Sequence, residues 1–413
     1  MSPSAPATDV PHPGLGFGAF VFMMAGFMAL NGLAIDSMLP ALPLIGDEYG
    51  LVEANRPQLV VTAYLLGFGA FQIFFGPVSD RFGRRGPLLA GVALYALFSV
   101  AALFTTTFEA LLLTRVLQGI GAAATRTLTI AIVRDNYSGR RMASVTSLIF
   151  IVFLAAPVIA PTLGQGIILI ASWQWIFALL ASLSSLLLLW ALARLPESLR
   201  EEHRLPLSPA RIGAAFLEVV RTRHSIGYAL AMTLVLGSLF GFINSAQQIF
   251  SDVFEIPDAF TLVFAGIALC MAVASYLNSR IVERLGTRRV SHAAILGFAT
   301  LCALNLVTAL AGVQTLVSFS VLLGATMFCF GLTASNFGAM AMEPVGHIAG
   351  TASSVQGCIS TLGGALIGLY IGQRYDGTTV PLLVGFTALA VAATGVVLLT
   401  EGGLFRPSER SGE

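Results

Sequence analysis

Gly76-Pro77-Val78-Ser79-Asp80-Arg81-Phe82-Gly83-Arg84-Arg85 separates two long apolar runs, Gln58 to Phe75 and Leu88 to Phe104. A run of about 18 or more apolar residues is long enough to cross a bilayer as a helix. The decapeptide is therefore expected to be a tight turn between two membrane helices, its arginines held at one membrane face. Gly83 supplies a backbone conformation that other residues resist. Asp80 lies near a helix end, where a carboxylate bonds free backbone amides or an arginine.

The rest of the chain agrees. Of 413 residues, 56% are hydrophobic and only 10% charged, with a mean hydropathy of +0.85. A soluble domain carries about 25% charged residues, so the composition is that of a polytopic membrane protein. A net charge of +1 argues against a nucleic-acid partner. Every basic residue is arginine, which reads as base-composition bias. Cys270, Cys302, Cys329 and Cys358 lie in apolar runs and are read as free thiols. The start, 1–16, lacks a basic leader and a cleavage site, so the first helix is expected to serve as insertion signal.

Hydropathy predicts about twelve spans, near 17–40, 57–78, 87–107, 109–133, 142–168, 173–194, 225–250, 258–280, 290–312, 314–340, 350–373 and 381–403. The divisions at 107/109 and 312/314 rest on one or two residues. If both termini are cytoplasmic, eighteen arginines fall on that side and only Arg56 and Arg374 on the other. Such a bias follows the positive-inside rule. Arg115 and Arg126 fall within the fourth span.

The polar stretch Pro196 to His224 divides the chain. The expected organisation is a cytoplasmic tail (1–16), a six-helix bundle (17–195), a cytoplasmic linker (196–224), a second six-helix bundle (225–403) and a cytoplasmic tail (404–413). The linker holds a candidate surface helix around Pro209 to Val220. Glu283-Arg284-Leu285-Gly286-Thr287-Arg288-Arg289 echoes the opening motif at the same place in the second half, and Gly350-Thr351-Ala352-Ser353-Ser354 echoes Arg141-Met142-Ala143-Ser144-Val145.

The decapeptide resembles the loop G-x-x-x-D-R-x-G-R-R of the major facilitator superfamily, matched by Gly76, Asp80, Arg81, Gly83, Arg84 and Arg85. That resemblance covers essentially the whole chain. It implies an all-α fold of twelve transmembrane helices in two pseudo-symmetric six-helix bundles, with a central site between them. It also implies a conformational role for the loop. Asp80 is expected to bond the inner end of the eleventh span and stabilise an outward-facing state. Arg81 or Arg84 is expected to pair with Asp135.

Asp36, toward the outer end of the first span, is costly there unless it has a purpose, about 2.5–3.5 kcal/mol at a helix centre. Desolvation disfavours a charged carboxylate, which makes it a candidate proton carrier; an aspartate wetted by headgroup water is the ordinary alternative. Asp36, Leu39 and Pro40 resemble the D-x-x-L-P of the Bcr/CflA drug-resistance exporters, with Met38 where that family often has Tyr. Arg115, Gln118 and Gly119 resemble the R-x-x-Q-G element associated with proton coupling, against which stands a structural ion pair. Arg126 lies about three turns further on, shares a face with Arg115, Gln118 and Ala122, and departs from the family's usual small residue. It either neutralises an anionic part of a substrate or snorkels to the interface.

In the fifth span Pro157, Pro161 and Gly164 resemble the P-x-x-x-P-x-x-G of proton-driven antiporters, where the bland reading is a helix kink. Trp173-Gln174-Trp175-Ile176-Phe177 resembles their W-R-W-I-F, with Gln174 in place of Arg. These elements favour export over uptake. Phe240, Asn244, Gln247 and Gln248 form one side of the seventh span and, with Asn31, Asn336 and Gln356, are candidate pocket residues. Interhelical bonding is an equal alternative, because amides avoid lipid. Tyr64, Phe68 and Phe71 share a stripe that either packs or meets substrate. Glu343 reads as an interfacial charge.

The expected function is a proton-coupled exporter of small amphipathic molecules in a bacterial inner membrane, acting as a monomer and driven by the proton gradient without a cofactor. Proton-linked uptake of a metabolite is the alternative. An enzyme is disfavoured: His12, His203, His224 and His347 fall in tails or loops, His292 starts a span, and neither H-E-x-x-H nor G-x-S-x-G occurs.

Overall fold

The computed structural model describes residues 15–137 and 139–405, every regular element among them helical. The expected tails, with His12, Arg406 and Arg410, fall largely outside the described residues. Twelve long helices follow in order: α1 (Phe17–Asp36), α3 (Leu59–Phe82), α4 (Arg85–Ala102), α5 (Phe108–Asn136), α6 (Gly139–Ile170), α7 (Gln174–Arg194), α9 (Arg223–Gln248), α10 (Phe260–Leu285), α11 (Thr287–Leu310), α12 (Leu316–Met342), α13 (Ala349–Gly372) and α14 (Val380–Glu401). Two short ones, α2 (Leu42–Glu48) and α8 (Pro209–Arg221), interrupt them. Among the described residues eleven spans are apolar and long enough to cross a bilayer, and α6 adds an apolar stretch over Ala155–Ile170. The two narrow divisions are real turns. Thr107 accepts the Ala110 amide at 3.2 Å to start α5, and Thr315 with Ser318 forms a reciprocal cap on α12. Each satisfies amides that a helix start leaves free.

Helices α1 and α3–α7 pack among themselves, as do α9–α14. The two groups meet mainly through α3 against α13 and α6 against α10, while α5 and α12 make their extensive contacts within their own groups. The internal echo is visible in the backbone: Gly83, between α3 and α4, has φ +91°, and Gly286, between α10 and α11, has φ +80°. Side chains resist that region, so glycine ends both helices. The linker helix α8 rests on α13, with Val219 packed against Val345, Ala352 and Val355, and Glu218 paired with His347 at 2.7 Å.

The first span is broken. It ends as α1 at Asp36, runs through a turn and a short 3₁₀ segment at Leu39–Ala41, and resumes as α2. Pro40 and Pro43 lack the amides a continuous helix would need, and the Ser37 hydroxyl donates back to Leu33 O at 2.6 Å. Helix α6 lies directly on this break. A Cβ on Gly164 would collide with Ser37 O and Pro40, and one on Gly32 would meet Ala156. Pro157, Pro161 and Gly164 thus sit on the surface that receives the broken helix, inside an otherwise continuous α6.

Candidate translocation site

Asp36, the last residue of α1, is 4% exposed and faces a cavity of about 50 Å³ between the two helix groups. Its other walls are apolar: Pro157 from α6, Leu239, Phe242 and Ile243 from α9, Phe264, Ile267, Ala268 and Met271 from α10, and Met327 from α12. Phe242 and Phe264 stack at 5.5 Å. Among the described residues the carboxyl accepts no hydrogen bond and meets no cation. One probe-sized water needs about 10–15 Å³, so the cavity has room for a few waters at most and must widen for a drug-sized molecule.

Arg115 is fully buried, and its charge is met by dipoles in place of a carboxylate. Its Nε donates to Val60 O at 3.0 Å, Nη2 to Ala34 O at 2.8 Å and Nη1 to Gln118 Oε1 at 2.5 Å. The guanidinium also lies 4.6 Å from the Tyr64 ring centroid and 5.7 Å from that of Phe177, a favourable cation–π arrangement. The ion pair considered from sequence is absent among the described residues. Ala34 O belongs to the last turn of α1, where carbonyls lack intrahelical partners. Arg115 caps the helix that presents Asp36. The network extends from Gln118 Nε2 to Ser99 Oγ at 2.7 Å, and from Tyr64 OH to Asn31 Oδ1 at 3.2 Å and Asn31 Nδ2 to Thr125 Oγ1 at 3.0 Å.

Arg126 differs. Its guanidinium lies 5.8 Å from the Phe68 ring, and among the described residues it donates no hydrogen bond and meets no carboxylate. Phe68 in turn stacks on Tyr64 at 6.1 Å, so two rings of α3 stand between the two arginines of α5.

The polar side of α9 is not the cavity wall. Asn244 donates to Phe240 O and accepts from Thr62, Gln247 bonds Ser251, and Phe240 packs on Gly368 of α13. The cavity takes Leu239, Phe242 and Ile243, on the adjacent face. Asn336 exchanges two hydrogen bonds with Asn278, and Gln356 donates to Ser225 Oγ and Ala341 O, so both tie helices of the second group together. Asn244, Asn336 and Gln356 thus bond between helices, whereas Gln247 bonds one turn along its own segment.

At the loop end, Arg84 joins Asp80 at 2.6 Å and Asp135 at 3.0 Å, and donates to Ser79. Of the two arginines considered for Asp135, Arg84 takes it, and Arg81 is exposed without an ion pair among the described residues. The expected reach of the Asp80 carboxylate to α13 is not seen among the described residues: Arg84 occupies that carboxylate, and α3 meets α13 nearby at Gly76 and Ser354. Arg85 donates to Leu192 O. Sequence reading missed Glu197, whose carboxylate accepts the amides of Arg84, Arg85, Ser198 and Leu199. It lies 113 residues from Arg84 along the chain, so no local pattern in the sequence marks it.

A second group bridges the opposite end; of its members the sequence reading named only Gln248, as a candidate pocket residue. Asn55 Nδ2 donates to Gln373 O and Tyr375 O, Gln373 Nε2 returns to Asn55 O at 2.7 Å, and Gln248 Nε2 donates to Ala54 O and Asn55 Oδ1. All five bonds join the two helix groups.

Residues 15–368 match the Major Facilitator Superfamily. The chain belongs to that superfamily. It is 30% identical over 370 residues to the "Uncharacterized MFS-type transporter YdgK" of Bacillus subtilis (strain 168), covering 88% of this chain and 90% of that one. It is 28% identical to a "Bicyclomycin resistance protein homolog" of Haemophilus influenzae, covering 90% and 93% of the two chains, and 30% identical to a "Chloramphenicol resistance protein" of Pseudomonas aeruginosa, covering 92% and 90%. Among solved structures it resembles the xylose transporter XylE of E. coli in a partially occluded inward-open conformation, with TM-score 0.75, 14% identity and coverage of 96% and 99%. The human organic anion transporter MFSD10 (TETRAN) gives 0.64 at 20% identity, covering 92% and 97%. The all-α major facilitator fold is thereby established, as is membership among transporters in place of enzymes, and the motif resemblance to drug-resistance exporters has its counterpart in these relatives. The chain is a multi-pass membrane transporter.

Proposed function

We propose that this transporter exports small amphipathic molecules in exchange for protons by alternating access. The observation that carries the reading is Asp36: a carboxylate without a partner among the described residues, in an otherwise apolar cavity walled by both helix groups. Such a group holds either a proton or a positively charged or polarised part of a substrate, and the two compete. The stacked Phe242 and Phe264 and the two methionines offer adaptable apolar walls. Each proton moving down 100 mV supplies about 2.3 kcal/mol, and no bound cofactor is required. Names of resistance proteins among the relatives support the substrate class.

In this reading both termini lie in the cytoplasm of a bacterial cell, a single chain suffices, and the Asn55 end faces outward. The bonds around Asn55 close the outer side, and the Arg84 cluster holds the inner loop of the first bundle.

The test is flux in proteoliposomes under an imposed pH gradient, comparing wild type with Asp36→Asn. Wild type is expected to move substrate against its gradient when protons flow the other way, and Asp36→Asn is expected to lose that drive at least 10-fold while remaining folded. Unchanged gradient-driven accumulation in the variant would refute the proton assignment, and substrate moving with the protons would replace export by uptake.

A further inference from the structure

We propose that Arg126 is a specificity-determining residue that binds an acidic group of the transported molecule, so that the preferred substrates are zwitterionic amphipaths. The inference rests on the assignment of Asp36 above. A guanidinium carries five donors and stays charged, and leaving it without acceptors inside a membrane protein is costly. Arg115 satisfies three of its donors on protein oxygens, whereas Arg126 has Phe68 alone among the described residues.

Position separates this from snorkelling. Arg126 lies ten residues before the end of α5, about 15 Å along the axis, and its head rests on Phe68, mid-way along α3, well short of the helix end. Direction is fixed by its neighbours. Thr125 bonds Asn31 of α1, Gly119 abuts Tyr64 of α3, and Gly121 abuts α4. At about 100° per residue, Arg126 falls between the α1 and α3 directions, on the same face as Arg115 and away from α4. The two helices that flank this face both reach the second helix group, α1 through the cavity at Asp36 and α3 against α13, so the face is turned toward that group.

Asp36 and Arg126 then form two poles. The Asn31–Thr125 bond registers α1 against α5. Asp36 lies five residues beyond Asn31 in one direction and Arg126 one residue beyond Thr125 in the other, about 9 Å apart along the membrane normal at 1.5 Å per residue. A molecule with a basic group at Asp36 and a carboxylate or sulfonate at Arg126 satisfies both. A proton arriving at Asp36 displaces the basic group, which keeps the exchange stoichiometry of the proposed antiport.

The test uses rhodamine B and its ethyl ester, which share a cationic xanthene and differ in one free carboxylate. Their binding is measured by fluorescence anisotropy on the full-length protein in nanodiscs. Wild type is expected to bind the free acid at least 5-fold more tightly than the ester. Arg126→Gln is expected to weaken the acid about 10-fold and leave the ester within about 2-fold, while Arg126→Lys retains most of the preference. Absence of a preference in wild type, no binding of the acid, or equal weakening of both dyes by Arg126→Gln overturns the proposal. Because binding needs no gradient, the result is independent of whether Asp36→Asn abolishes proton-driven flux.

Discussion

Arg115 shows how a buried charge can be held without an opposite charge. Three oxygens and two aromatic faces surround it, and only a planar fork reaches Val60 O, Ala34 O and Gln118 together. Lysine concentrates its donors on one nitrogen and would leave at least one of these acceptors unmatched, costing about 1.5–3 kcal/mol for a lost charged hydrogen bond. Arg115→Lys is therefore expected to lower the thermal unfolding midpoint by several degrees and to weaken proton-driven flux about 10-fold, through a less well fixed end of α1. Thermal unfolding of the purified protein and liposome flux check the two effects. A variant equal to wild type in both would show that the capping bonds carry no weight. The sequence pointed to Arg115 through a motif associated with coupling. Gln118 was named beside it, but its partners Val60 O and Ala34 O were hidden, because main-chain carbonyls leave no trace in residue identity.

Among the elements, the broken first span and α6 form one unit. Gly164 permits Ser37 O to approach the α6 backbone, and the break at Asp36–Pro40 places the carboxylate at a helix end beside Pro157. Gly164→Leu is expected to separate these surfaces at about 1–3 kcal/mol, the usual cost of overpacking, and to reduce export while the variant still inserts in the membrane. Normal unfolding temperature and flux in that variant would show that the contact gives freely. The spans and the turn at Gly83 were legible because length, hydropathy and glycine chemistry act locally. The cavity wall was not. Polar residues on α9 marked a face that bonds other helices, as Asn244 does with Thr62, and the adjacent apolar face lines the cavity. In a membrane a buried amide must be satisfied by protein, so polarity along a helix signals a helix contact at least as strongly as it signals a site.

At the scale of the whole molecule, α3 packs closely on α13 and α6 on α10, and the hydrogen bonds around Asn55 add a separable link between the halves at one end. The Asn55 side chain takes part in three of the bonds at one end, to Gln373 O, to Tyr375 O and from Gln248. At about 0.5–1.5 kcal/mol each, they bias the equilibrium by a few kcal/mol, one to three decades in population at 1.4 kcal/mol per decade. Asn55→Ala is therefore expected to shift the ensemble toward opening at that end. Spin labels at Val52→Cys and Thr378→Cys, both exposed and in different helix groups, report the separation after Cys270, Cys302, Cys329 and Cys358 are replaced by serine or alanine. Double electron–electron resonance should show a longer distance gaining population in the Asn55→Ala variant. Transport should slow as well, because a gate that closes less often returns fewer transporters to load at the other face. An unchanged distance distribution would mean that α3 against α13 and α6 against α10 alone hold the halves, and that the Asn55 bonds merely accompany closure.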